Sequence, residues 1–153
     1  FAQMNIKSLT AAQLYDSIGV ATRLEATADS DGSLMRTANR GRRSFIEQFQ
    51  VPPGQVTDYQ AGIPQALTLM NGGLIQAATG LTSSGVLRSI EARFFFDEQR
   101  IEVLFLATLS RPPEGTERQT LLEYVTEADG DRQERLGDIL WALLNSAEFT
   151  LNH

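Results

Sequence analysis

Residues Arg100–His153 read RIEVLFLATLSRPPEGTERQTLLEYVTEADGDRQERLGDILWALLNSAEFTLNH. Three helix-sized apolar patterns fill this stretch, punctuated by Arg111-Pro112-Pro113 and Asp129-Gly130-Asp131. The first runs from Glu98 to Ser110, with Ile101, Val103, Leu104, Phe105, Leu106, Ala107 and Leu109. It is apolar on nearly all sides after its first turn, so it is expected to be the central and most buried helix. A buried strand can read the same way, but its length and the few β-branched residues favour a helix. Pro112 and Pro113 stop it, because proline has no N–H to donate and restricts the residue before it. Thr116 with Gln119 reads as a capping box for a second helix burying Leu121, Leu122, Val125 and Ala128. Asp131 with Glu134 resembles a further box. It opens the cleanest pattern in the chain: Leu136, Ile139, Leu140, Leu143 and Leu144, with Trp141 beside the stripe. Asn145 can end that helix, and Ser146 can cap a last turn containing Phe149.

Upstream, Thr10 and Gln13 form a capping box ahead of Leu14, Ile18 and Ala21 at helical spacing. Residues 25–33 are polar and turn-rich and read as a solvated loop. A short helix is expected from Arg42 to Gln50, carrying Phe45, Ile46 and Phe49, and Val51-Pro52-Pro53-Gly54 ends it. Residues 55–62 show no period and read as a connection. Pro64 is well placed to start a helix to Thr79 with Leu67, Met70, Leu74 and Ala78, kinked at Asn71-Gly72-Gly73. That Asn-Gly pair also fits a hairpin turn, but the flanks alternate poorly. Ser83 or Ser84 caps another helix, expected to reach Arg93 and bury Val86, Leu87 and Ile90. Phe94-Phe95-Phe96 then leads to Asp97 as the next cap.

The chain has 153 residues, the size of one domain with its own core. A net charge of −6 disfavours a nucleic acid partner. No apolar run approaches the ~20 residues that a membrane-spanning helix needs, so no membrane insertion is expected. No signal-peptide pattern stands at Phe1, and a start at Phe rather than Met is expected of a processed chain or a piece of a longer one. There is no Cys, which removes thiol catalysis, Cys-ligated metals and disulfides. The single His is His153, at the last position, so a His-dependent triad or haem ligation would rest on one terminal residue. No cofactor is expected.

Four arginines, Arg36, Arg40, Arg42 and Arg43, fall within eight residues. Forked guanidinium donors suit phosphate, sulfate or carboxylate groups, which makes these the candidate anion-binding residues. The plainer reading is a solvated helix entry that balances an acidic chain. Asp29 and Asp31, in Asp29-Ser30-Asp31-Gly32, are candidate ligands for a hard cation such as calcium. The loop lacks a bidentate Glu at EF-hand spacing, and the same residues make ordinary turns. Arg111-Pro112-Pro113 reads as a helix stop, with Arg111 near the carboxyl end of the helix dipole. Glu114, Glu117 and Glu123 read as a charged exposed face, since paired catalytic carboxylates must face each other across a cleft. Trp141 reads as core or interface packing. No catalytic constellation is present in these patterns.

Three segments carry a family resemblance: Gln65–Asn71 (QALTLMN), Leu104–Pro113 (LFLATLSRPP) and Asp138–Phe149 (DILWALLNSAEF). In order and spacing they resemble the C-terminal domain of unknown function of large planctomycete-type surface proteins. Those proteins often carry a cytochrome-c-like domain and a second uncharacterised domain upstream. The resemblance covers 63–153 and, less specifically, 9–17. It implies an exported parent, periplasmic or at the cell surface, of which this is the carboxyl-terminal part. It implies no catalytic residues, and any haem would belong to the upstream domain.

The expectation is a single all-α domain over 1–153: an irregular bundle of about six or seven helices around a central apolar helix. The expected role is a non-catalytic scaffold or interaction module whose partners are other domains of the parent chain. The alternative is an accessory domain of an enzyme or binding protein acting on an anionic polymer such as a polysaccharide. A docking role predicts exposed apolar surface on this chain.

Overall fold

The computed structural model describes residues 7–24, 40–47, 72–127 and 130–152. Expectations that fall on Asp29, Asp31, Arg36, Phe49, residues 55–62, Pro64, Leu67, Met70, Ala128, Asp129 and His153 lie outside those residues. Within them the fold is all-α. In chain order the helices are α1 (Ala11–Thr22), α2 (40–47), α3 (Gly73–Thr79), α4 (Gly85–Ile90), α5 (Asp97–Leu109), α6 (Gly115–Thr126), α7 (Arg132–Leu144) and α8 (Ala147–Thr150). Two short strands, β1 (Lys7–Ser8) and β2 (Leu151–Asn152), pair antiparallel. The sequence gives no alternation that announces this ladder. Leu9 extends it by donating its N–H to the Thr150 carbonyl at 3.1 Å, so the entry to α1 is tied to the exit of α8.

Several caps form as the sequence predicts. Gln13 donates its N–H to Thr10 Oγ1 at 3.3 Å, and Thr10 donates its own to Gln13 Oε1 at 3.0 Å, closing the box ahead of α1. Asp131 accepts the Gln133 N–H at 2.9 Å as a simple cap, without the Glu134 half of the expected box, and Ser146 accepts the Phe149 N–H at 3.2 Å. Others move. Phe96, not Asp97, is the residue before α5, and its N–H is taken by Gln99 Oε1 at 2.9 Å. Glu114, not Thr116, precedes α6, because the Glu117 carboxylate reaches back to the Glu114 N–H at 2.8 Å. Helix α4 stops at Ile90 rather than Arg93. Gly72 is extended, with φ −69° and ψ 146°, and α3 begins at Gly73; the part of the expected helix before residue 72 lies outside the described residues.

The core joins Leu14 and Ile18 of α1, Phe45 of α2, Ile75 and Ala78 of α3, and Val86, Leu87 and Ile90 of α4 to the long helices. Helix α5 is central: it packs against α1, α4, α6, α7 and α8. It is not the most buried helix. Its buried residues are Arg100, Ile101, Leu104 and Phe105, while Val103, Ala107 and Leu109 are half-buried and Leu106 is 48% exposed. Helix α7 buries more: Arg135, Leu136, Gly137, Ile139, Leu140, Leu143 and Leu144. The physical reason is that α5 has neighbours on only part of its circumference, whatever its composition.

Close approach at one glycine sets how α1 meets α4. A Cβ on Gly85 would lie 2.5 Å from the Arg23 carbonyl oxygen, so only glycine lets the start of α4 sit against the left-handed end of α1.

Candidate functional site

Three arginines outside the cluster of residues 36–43 hold junctions between the described helices. Arg100 on α5 is 4% exposed. Its Nε donates to the Ile90 carbonyl at 2.8 Å, its Nη2 to the Ala92 carbonyl at 3.2 Å, and its Nη1 to Asp97 Oδ1 at 2.6 Å. The last carbonyls of a helix have no partner within it. Arg100 supplies that partner for α4 from the next helix. Arg135 repeats the device one step later. It rises from α7, donates to the Tyr124 and Glu127 carbonyls at the end of α6, and lies 5.4 Å from the Tyr124 ring centroid.

Arg111 holds the third junction. Its guanidinium donates to Glu117 of α6 at 2.8 and 3.0 Å and to Glu148 of α8 at 2.7 and 2.8 Å. The same group sits 5.4 Å from the Phe105 ring centroid of α5. Arg111 therefore does more than sit near the end of a helix dipole; it clamps three helices. Hydrogen bonding from Arg111, helped by the Glu114 N–H, lowers the Glu117 carboxyl from 4.5 to about 2. A carboxylate held below its unfolded value stabilises the fold above that value and loses the effect as pH falls through the folded value. The expected result is that Glu117→Gln is less stable than the wild type in urea at pH 7. The difference should shrink from about pH 4.5 downward and vanish near pH 2; a gap independent of pH would remove the clamp from the account.

Of the predicted anion-binding residues, Arg40 and Arg43 are exposed on α2. Arg42 is committed elsewhere: its Nε and Nη2 donate to the two Asp16 oxygens of α1, each at 3.0 Å. That bond lowers the Asp16 pKa and raises that of Arg42. Tyr15 and Phe45 pack at 5.6 Å between ring centroids beside it. The Arg42–Asp16 pair thus seats α2 on α1. Glu123 accepts from Gln119 at 3.0 Å on the exposed face of α6.

Among the described residues, three surface features offer places for docking. A groove of about 480 Å³ runs between α1, the end of α5, and α8, lined by Leu9, Val20, Ala107, Leu109, Phe149 and Leu151 with polar residues at its rim. A second, of about 360 Å³, lies between α7 and the α3–α4 connection and includes Trp141, Glu134 and Asp138. The third is an aromatic tip. Phe94 and Phe96 are 76% and 75% exposed on the α4–α5 connection, and the Phe94 and Phe95 rings lie 4.8 Å apart. The tip is not loosely held. Arg100 grips the backbone beneath it at Ile90 and Ala92, Phe95 donates its N–H to the Ala92 carbonyl at 3.1 Å, and Arg132 lies 3.7 Å from Asp97.

Among the described residues, no buried side-chain nitrogen or oxygen lacks a hydrogen-bond partner. Nor do they include three metal-ligating side chains placed to share an ion, or a helix long and apolar enough to cross a membrane. No family model matches the chain, and no curated protein or solved structure matches it.

Proposed function

We propose that this domain is a non-catalytic interaction module of a larger, exported, multidomain protein, and that it docks onto other domains of the same parent through its aromatic tip. The observation that supports this most is the exposure of Phe94 and Phe96 on a connection pinned by Arg100. Large apolar side chains that stay in water cost solvation free energy, roughly 1.5–3 kcal/mol each compared with full burial. Two such rings on one pre-shaped connection are the composition of an interface anchor, because aromatics in rigid settings dominate binding energetics. The family resemblance of the 63–153 segment supplies the larger parent and its export. The alternative reading, an anionic polymer on the arginine cluster, has the exposed Arg40 and Arg43 in its favour and Arg42 already engaged by Asp16.

The test is the double substitution Phe94→Ser with Phe96→Ser, made in the 153-residue chain and in the parent. In the isolated chain it should change stability by less than about 0.5 kcal/mol, as exposed positions do. In the parent it should lower the melting midpoint of this domain, because the docked neighbour no longer stabilises it. An unchanged midpoint in the parent would end the docking proposal for this tip.

A further inference from the structure

We propose that the groove between α7 and the α3–α4 connection binds an organic cation, an alkylammonium or guanidinium group. This goes beyond the docking reading and shares no residue with the aromatic tip.

One wall is a single stripe of α7, since Glu134, Gly137, Asp138 and Trp141 follow one another at helical spacing. The other wall is Thr79, Gly80 and Leu81. Gly137 lets the two walls approach closely at the floor of the groove. A Cβ there would sit 3.2 Å from the Thr79 carbonyl oxygen, so a larger residue would push the walls apart. Its volume of about 360 Å³ lies in the range of small-ligand sites, roughly 300–1,000 Å³.

The lining selects for positive charge. Glu134 and Asp138 are exposed carboxylates, and neither forms an ion pair among the described residues. Asp138 Oδ2 accepts the Tyr124 hydroxyl at 2.7 Å, which fixes the carboxylate and leaves its other oxygen for a ligand. The Thr79 hydroxyl is turned away, donating to the Ile75 carbonyl at 2.9 Å, so it offers the groove no donor. Trp141 lines the groove, its indole being the side-chain ring that attracts cations most strongly, and Leu81 gives an alkyl chain an apolar contact. A carboxylate pair beside an indole repels anions. A bare metal ion would not use the indole or Leu81. An ammonium or guanidinium on a short carbon chain uses every part.

Trp141 is the only tryptophan in the chain, so its fluorescence reports on this groove. Two probes separate the sources of such a group: spermidine for a free polyamine, and a tri-arginine peptide for a protein side chain. A saturable fluorescence change with either supports the site, and the stronger ligand names the source. Glu134→Gln and Asp138→Asn should each weaken the apparent affinity about fivefold, the scale of one exposed charge pair. Raising salt should weaken it further, and Glu123→Gln, on the exposed face of α6, should leave it unchanged. Glu134 makes no hydrogen bond among the described residues, so Glu134→Gln keeps the fold and the test decisive. No saturable change with either probe, an equal response in the Glu134→Gln chain, or the same response to a neutral oligosaccharide would overturn the proposal.

Discussion

Replacing Arg100 by Met is expected to destabilise the domain by about 3–5 kcal/mol, the cost of removing one partner from a buried charged network. Met keeps most of the side-chain volume, so the loss isolates the hydrogen bonds from the packing. Three acceptors lose this donor at once: the Ile90 carbonyl, the Ala92 carbonyl, which keeps only the Phe95 N–H, and Asp97 Oδ1, which keeps only Arg132 at 3.7 Å. A buried acceptor without a donor costs about 1–3 kcal/mol, whereas a satisfied neutral bond gains only about 1 kcal/mol. The asymmetry makes this arginine matter more than the exposed cluster. Arg100→Lys should recover less than half of the loss, because an ammonium cannot present the planar fork that reaches the two carbonyls and the carboxylate together. Urea unfolding followed by circular dichroism gives both numbers. A Met variant within about 1 kcal/mol of the wild type would mean that water serves these carbonyls equally well.

The second large effect is expected at Leu140. This side chain is fully buried on α7, which packs against α3, α4, α5, α6 and α8. Leu140→Ala should cost about 2–5 kcal/mol, the sum of lost transfer free energy and the cavity left behind. For a domain of this size that lowers the melting midpoint by roughly 5–15 °C. Leu106→Ala, on α5, removes the same atoms from a side chain that is 48% exposed and should cost less than about 1.5 kcal/mol. Thermal melts of the two variants rank the helices. Equal losses would restore α5 to the place its composition suggests, as the helix buried all round.

The contrast between those two leucines shows what the sequence carries and what it leaves to the fold. The stripe Leu136, Ile139, Leu140, Leu143 and Leu144 is legible because its period points one face inward, and all five side chains are buried. Helix α5 has apolar residues at too many angles for periodicity to choose a face; only the placement of α1, α4, α6, α7 and α8 around it makes the choice. Caps are legible at Thr10, Asp131 and Ser146, but a Thr or Asp ahead of a stripe is not enough, as Thr116 and Asp97 show. The starts of α5 and α6 shifted because Gln99 and Glu117 can satisfy the backbone of Phe96 and Glu114 without a hydroxyl at the cap.

The arginines carry the same lesson further. Arg36, Arg40, Arg42 and Arg43 stand out by their density, yet Arg42 seats one helix on another through Asp16. Arg100 and Arg135 close the polar runs Asp97-Glu98-Gln99-Arg100 and Arg132-Gln133-Glu134-Arg135, where nothing in composition sets them apart. The available signal was their register: Arg100 precedes Ile101 and Leu104 on the inward face of its helix, and Arg135 adjoins Leu136 and Ile139. A charged residue at a core-facing position has to find partners, and here the partners are the open carbonyl ends of the preceding helices. The aromatic tip was visible in the sequence as Phe94-Phe95-Phe96, but its exposure was not, because three consecutive phenylalanines read equally well as core.

That tip is where the account is most exposed to test. A photo-crosslinking phenylalanine analogue placed at Phe94, and separately at Phe96, in the parent protein reports by mass spectrometry what lies against each ring. The account predicts intramolecular crosslinks from both positions to upstream domains, and none from Glu123 on the outer face of α6. Crosslinks only to solvent-derived adducts, or an upstream yield no higher than at Glu123, would contradict it.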